Sequence, residues 1–232
     1  MGRLFGMVGE VPLSPREDLQ AFYALANPGY PDGWGISGFN IERAVYFGRS
    51  PQSVFSNPPL YETAIQKAEK SKTKVIVGHF RKSADGVTDI SRVHPFHHRD
   101  WVLAHDGALS KPDLFQLSDT APQGQTDSER LLHWLLERMI PEEDYTTALV
   151  AALQELRPMM EYTSLTFLLT DGQQLWAYRE AKEKQTLFWK KSGDKHVLCS
   201  EPLGASSEWK DVMQKTLLVF SPSAPVPRVV PV

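Results

Sequence analysis

"MGRLFGMVGE", residues 1–10, sets an apolar run at the front of the chain: Leu4, Phe5, Met7 and Val8 follow Arg3, with glycines at 2, 6 and 9. The run reads as a strand that starts within the first few residues. Chain ends fray unless pairing or packing holds them. A strand committed this early therefore suggests an end placed for chemistry, yet Gly2 has no side chain to perform any.

Working outward, "SPREDLQAFYALAN" has a start signal at Ser14-Pro15 and acids in its first turn, which predicts a helix over about 15–26. "NPGYPDGWGISGF" leads into a strand pair around 34–48. "LYETAIQKAEKS" reads as a surface helix near 60–71, and "KVIVGHF" as a buried strand. "WVLAHDGAL" is a strand ending at Asp106-Gly107. "TDSERLLHWLLERM" and "EEDYTTALVAALQEL" are helices, and "SLTFLLTDG", "QQLWAYRE", "QTLFWKK", "KHVLCSEP" and "KTLLVFS" are strands. Asp171-Gly172 signals a hairpin. Strands, a central helix pair and further antiparallel strands predict an α+β layered arrangement, read as a single domain over 1–232 with a proline-rich tail at about 221–232.

Hydrophobic residues make up 41% of the 232, and 25 Lys and Arg against 28 Asp and Glu give a net charge of -3. The basic residues are interspersed with acids, so no nucleic-acid partner is expected. No apolar run reaches the roughly 18 residues needed to span a bilayer, and no signal peptide is evident. Cys199 is the single cysteine, which excludes an internal disulfide and fits a reducing cytoplasm.

Four stretches carry possible chemistry. In "HFRK" (79–82), Arg81 stands where a buried strand ends, suited to gripping a carboxylate or to sitting on the rim as an ordinary arginine. "RVHPFHH" (92–98) and "AHDGAL" (104–109) gather His94, His97, His98, His105 and Asp106, all permissible metal ligands. None of their spacings matches a helical zinc motif, so a metal is the weaker reading and His105 reads equally as a core histidine. Asp106-Gly107 is either a hairpin turn or a point where the Gly107 N–H faces developing negative charge. Asp127 in "QTDSERLL" either caps a helix or binds an ammonium. Cys199, mid-strand among apolar neighbours, reads as a buried thiol and not as a nucleophile.

In order along the chain, "RLFGM", "PDGWGI", "GHFRKS", "HPF", "AHDGAL", "TDSE", "DGQQLWAYR" and "CSEPL" resemble the class II glutamine amidotransferases, a family of N-terminal nucleophile hydrolases, in its compact stand-alone branch. The resemblance implies a four-layer αββα sandwich and hydrolysis of a glutamine-type side-chain amide, without a cofactor. In that scheme a processed N-terminal cysteine is the nucleophile and its own α-amine the base. An Asn side chain and the following Gly N–H form the oxyanion hole, while an arginine and an aspartate hold the substrate's α-carboxylate and α-amine.

Carried over by position, the nucleophile slot is Gly2 after loss of Met1, and the oxyanion pair is Asp106 and Gly107. Arg81 and Asp127 match the carboxylate and amine clamps, and Trp34 and Gly35 match the loop beside the nucleophile; Arg3 follows it with no assigned role. Two positions depart from the family: Gly2 lacks a thiol, and Asp106, when ionised, accepts hydrogen bonds where the family's asparagine donates. Three functions follow. The chain is an amidase inactivated at Gly2 and Asp106, a natural pseudoenzyme binding glutamine, glutamate or a γ-glutamyl ligand, or a metal-dependent hydrolase using the 94–106 histidines. The length also leads one to expect either that a separate synthase partner receives any ammonia or that a γ-glutamyl amide is hydrolysed for its own sake.

Overall fold

The computed structural model of the chain describes residues 2–10, 13–26, 29–40, 43–83, 86–111, 113, 115, 117, 126–182 and 184–232. The strand expected from the opening residues, β1 (Arg3–Gly9), lies inside a sheet. It pairs antiparallel with β4 (Val75–Phe80) on one side and β10 (Lys195–Cys199) on the other. Among the described residues this sheet runs β11 (Lys210–Asp211), β9 (Phe188–Ser192), β10, β1, β4, β2 (Trp34–Asn40), β3 (Arg43–Ser50). A second sheet runs β13 (Arg228–Pro231), β12 (Thr216–Phe220), β8 (Leu175–Arg179), β7 (Thr166–Thr170), β6 (Trp101–Asp106), β5 (Phe96–His98).

Successive side chains of a strand point to opposite faces, and β1 shows what that does here. Leu4 and Val8 face the second sheet and pack with Val102, Ala104, Leu168 and Ala177. Phe5 and Met7 face outward onto Leu19, Phe22, Tyr61 and Ile65 of two helices, α1 (Arg16–Leu25) and α2 (Pro58–Lys70). The far face of the second sheet is covered by α3 (Asp127–Met139) and α4 (Tyr145–Met159), with Leu131, Leu135, Leu149 and Leu153 packed on Phe167, Leu169 and Trp176. The layers are therefore helix, sheet, sheet, helix, an α+β sandwich. Sheets covered on both faces need apolar residues at consecutive positions. That is why the central strands show no alternation of polar and apolar residues.

Helix ends follow local chemistry. Asn57 and Thr126 accept from Leu60 N and Glu129 N at 3.3 and 3.2 Å, and Asp144 accepts from Thr146 N at 2.9 Å. The cap at Asp144 starts α4 later than the sequence pattern suggests. The Asp171-Gly172 hairpin joins β7 to β8. Asp106-Gly107 forms no hairpin: β6 pairs with β5 before it and with β7, which lies beyond α3 and α4. Part of the proline-rich tail is ordered as edge strand β13, where proline costs no ladder bond that a neighbour needs. Among the described residues no helix is long and apolar enough to cross a membrane.

Leu168 is fully buried between the sheets. Leu168→Ala should lower the unfolding free energy by about 2–5 kcal/mol, read as a shift in urea midpoint with an unchanged slope.

Candidate functional site

The two sheets part at the end of β1. There a cleft of about 280 Å³ is lined by Gly2, by His79 and Arg81 at the end of β4, by Asp106 and Gly107 at the end of β6, and by Asp127 at the start of α3. Five of the residues picked out in the sequence (Gly2, Arg81, Asp106, Gly107 and Asp127) thus meet in one place. Gly2 N donates to Asp106 Oδ1, a hydrogen bond that bridges the sheets. It is the one hydrogen bond the Asp106 carboxyl has among the described residues. Asp106 is only 3% exposed, and burial holds its carboxyl above the usual range while the bond from Gly2 opposes that rise.

Both cleft glycines are sites of close approach. A Cβ built on Gly2 would collide with the His79 imidazole and stand 2.7 Å from the Phe80 carbonyl oxygen. At Gly107 the clash is with the Ser164 carbonyl and with His105 Nε2 at 2.8 Å. Any side chain at either position needs its neighbours to move.

Arg81 is anchored through its backbone and side chain. Arg81 N donates to Gly33 O at 2.8 Å, and Nη1 donates to Val87 O at 2.7 Å and Asp32 O at 3.3 Å. Buried Asp32, from "PDGWGI", accepts from Ser83 N at 2.7 Å and fastens the segment after β4 to the segment before β2. Asp127 does not cap α3, since Thr126 fills that place. Its carboxylate accepts from Leu109 N and Ser128 N at 2.7 and 2.8 Å, leaving about two of its four lone-pair sites for a ligand.

The histidines divide into two kinds. His105 is a core histidine: Nε2 donates to Ser164 O at 3.0 Å, so Nδ1 accepts from Ser128 Oγ at 2.9 Å. His97 bonds Ser37 Oγ at 2.9 Å and stacks on Tyr46 at 3.7 Å. His79 and His94 lie against each other with ring centroids 4.4 Å apart, and none of their ring nitrogens has a hydrogen-bond partner among the described residues. Burial drives the His79 pKa down to about 3 and that of His94 well below its ordinary value, so both rings are neutral at pH 7. Among the described residues no three Cys, His, Asp or Glu side chains gather as a metal-binding set. Cys199 is fully buried in the helix-side core, with its thiol pushed up to about 12.

Trp34 and Gly35 do not line the cleft. Trp34 turns into the core edge-on to Tyr61, and Gly35 packs against the His94 carbonyl. Arg3, also outside the cleft, pairs with Glu201 and lies 4.8 Å from the centre of the Tyr30 ring. Sequence reasoning did not pick out His79 as a member of the site and named His94 only as a possible metal ligand. The signal for His79 was its i, i+2 spacing to Arg81, which sets both on one face of a strand.

The sequence profile of the class-II glutamine amidotransferases matches residues 1–191. The chain belongs to that family. YafJ of Escherichia coli (strain K12), whose name places it among glutamine amidotransferases, is 28% identical over 195 residues, covering 77% of this chain and 72% of YafJ. Of solved structures, glutamine phosphoribosylpyrophosphate amidotransferase from B. subtilis superposes with a TM-score of 0.72 at 20% identity over 99% of this chain. This amidotransferase chain spans 49% of the length of that enzyme. A class-II glutamine aminotransferase domain protein from Silicibacter pomeroyi superposes at 0.68 and 19% identity, covering 99% of this chain and 98% of the other.

Gly2→Ala should lower stability by about 1–3 kcal/mol in urea titrations, because the added methyl has no space beside His79 and the Phe80 carbonyl. His79 predicts a pH dependence. Its pKa is lower folded than unfolded, so its contribution is whole above pH 6.5 and is lost as pH falls towards about 3. His79→Gln should flatten the dependence of unfolding free energy on pH between 6 and 4 by up to about 1.4 kcal/mol per unit.

Proposed function

We propose that this cleft is a glutamine amidotransferase site that receives glutamine or a γ-glutamyl compound and, with the residues it holds, binds that ligand without turning it over. The observation that carries this reading is the convergence of a guanidinium from Arg81 and a carboxylate from Asp127 on the cleft that also holds Gly2 and Asp106. A guanidinium fork suits an α-carboxylate, and the remaining acceptor capacity of Asp127 suits an α-ammonium. Together they select a free amino acid.

The chemistry is blocked at two points. Gly2 offers no thiol, so no acyl-enzyme forms. Asp106, as a carboxylate, repels an oxyanion where an amide would stabilise it, and losing one such donor raises the barrier by about 3 kcal/mol. Gly107 N–H remains as the other donor of the pair. A separate ammonia-accepting synthase would serve a form of the protein with cysteine at residue 2, and no such partner is needed for binding alone.

Two measurements test the proposal. Arg81→Ala should reduce L-glutamine affinity at least about ten-fold by calorimetry, because the α-carboxylate loses its charged partner. Gly2→Cys combined with Asp106→Asn, processed so that residue 2 is the first, should release ammonia from glutamine where the unaltered protein releases none. A folded, processed double variant that leaves glutamine intact, together with no amino-acid binding by the unaltered protein at millimolar concentration, would overturn the reading.

A further inference from the structure

Resting on the reading that the cleft binds a free amino acid, we infer that Asp106 sets which side-chain terminus it accepts: a carboxamide is taken and a carboxylate refused. Depth in the cleft orients the ligand. Arg81 and Asp127 are partly exposed, whereas Asp106, His79 and His94 are 3, 3 and 7% exposed and form the floor. A ligand whose charged α-groups meet Arg81 and Asp127 sends its side-chain terminus down to that floor.

The floor is built to pair with a carboxamide. The Asp106 carboxyl has one bond, from Gly2 N, and as a carboxylate it can only accept. A terminal carboxamide brings two N–H donors to it. His79 and His94 beside it are neutral, and their four ring nitrogens are buried with no partner among the described residues, so neither ring offers a cation to a carboxylate. A carboxylate has no donor, leaving Asp106 facing its lone pairs.

Charge acts through Asp106 itself. The groups around it are the chain's α-amine, His105 on its own strand and Arg3 from β1, which all favour its charged form, with His79 from β4, Arg81 beyond it, His94 ahead of β5 and Asp127 from α3. Arg3 is paired with Glu201, and Arg81 donates to two backbone carbonyls. His105 uses both ring nitrogens, and Asp127 adds negative charge. Two carboxylates in one buried site repel strongly. A carboxyl at 106 that takes up a proton becomes a donor and tolerates a carboxylate, so the refusal weakens as pH falls.

The test is calorimetric titration of the intact protein with L-glutamine and with L-glutamate from pH 7.5 to 5.5, repeated with Asp106→Asn. At pH 7.5 the unaltered protein should bind glutamate at least about ten-fold more weakly than glutamine, the gap narrowing as pH falls. Asp106→Asn should bring the two ligands within about two-fold of each other and remove the pH trend, separating Asp106 from the ligand's own titration. Equal binding of both ligands by the unaltered protein overturns the inference while leaving the amino-acid site standing. A gap that survives Asp106→Asn also overturns it. Binding of neither ligand removes the amino-acid site and this inference together. If the variant fails to fold, the pH series on the unaltered protein decides, and a gap that does not narrow overturns the role of Asp106.

Discussion

The site exists because β1 is held on every side. Its backbone is paired with β4 and β10, Leu4 and Val8 are packed against the second sheet, and Phe5 and Met7 lie under α1 and α2. A segment so enclosed has no freedom to fray. Gly2 is therefore delivered to a fixed point where the sheets part, and its N–H reaches Asp106 on the opposite sheet. That point opens on the cleft shared with Arg81, Gly107 and Asp127.

The frame of the cleft does not depend on what residue 2 carries. Arg81, Asp127 and Gly107 are positioned by backbone pairing, by the start of α3 and by contact with the Ser164 carbonyl, none of which depends on a thiol at residue 2. Removing a side chain from a packed site normally leaves a cavity. Here the His79 imidazole stands in the space such a side chain would need, so Gly2 and His79 form a packed pair. Asp106 makes the second close contact of Gly2, since its carboxyl takes the bond from Gly2 N in a setting where burial disfavours its charge.

How much of this could be read from residues alone depended on the range of the interaction. Strands such as Val75–Phe80 and helices such as α3 announced themselves by apolar runs and capping residues, which act over a few positions. Arg81, Asp106, Gly107 and Asp127 were legible through the order of short motifs along the chain. The edge strands β5, β11 and β13, two to four residues long, carry too little pattern to be seen. Asp106-Gly107 resembled a hairpin turn, because local signals do not tell which strand will pair next. The orphaned nitrogens of His79 and His94 were invisible for the same reason: a missing partner is a property of the three-dimensional surroundings.

The junction between β6 and α3 is clasped at its two ends. Asp127 accepts from Leu109 N, and Ser128 Oγ is bonded to His105, so both ends are tied to each other by side chains belonging to the site. Closing a longer excursion between such ties costs little, about 0.6 kcal/mol for each doubling of length. Insertions and deletions between residues 110 and 126 are thereby uncoupled from the spacing of Asp106, Gly107 and Asp127. The distance between the two sides of the cleft is then held by two side-chain ties, whatever the length of chain that joins them.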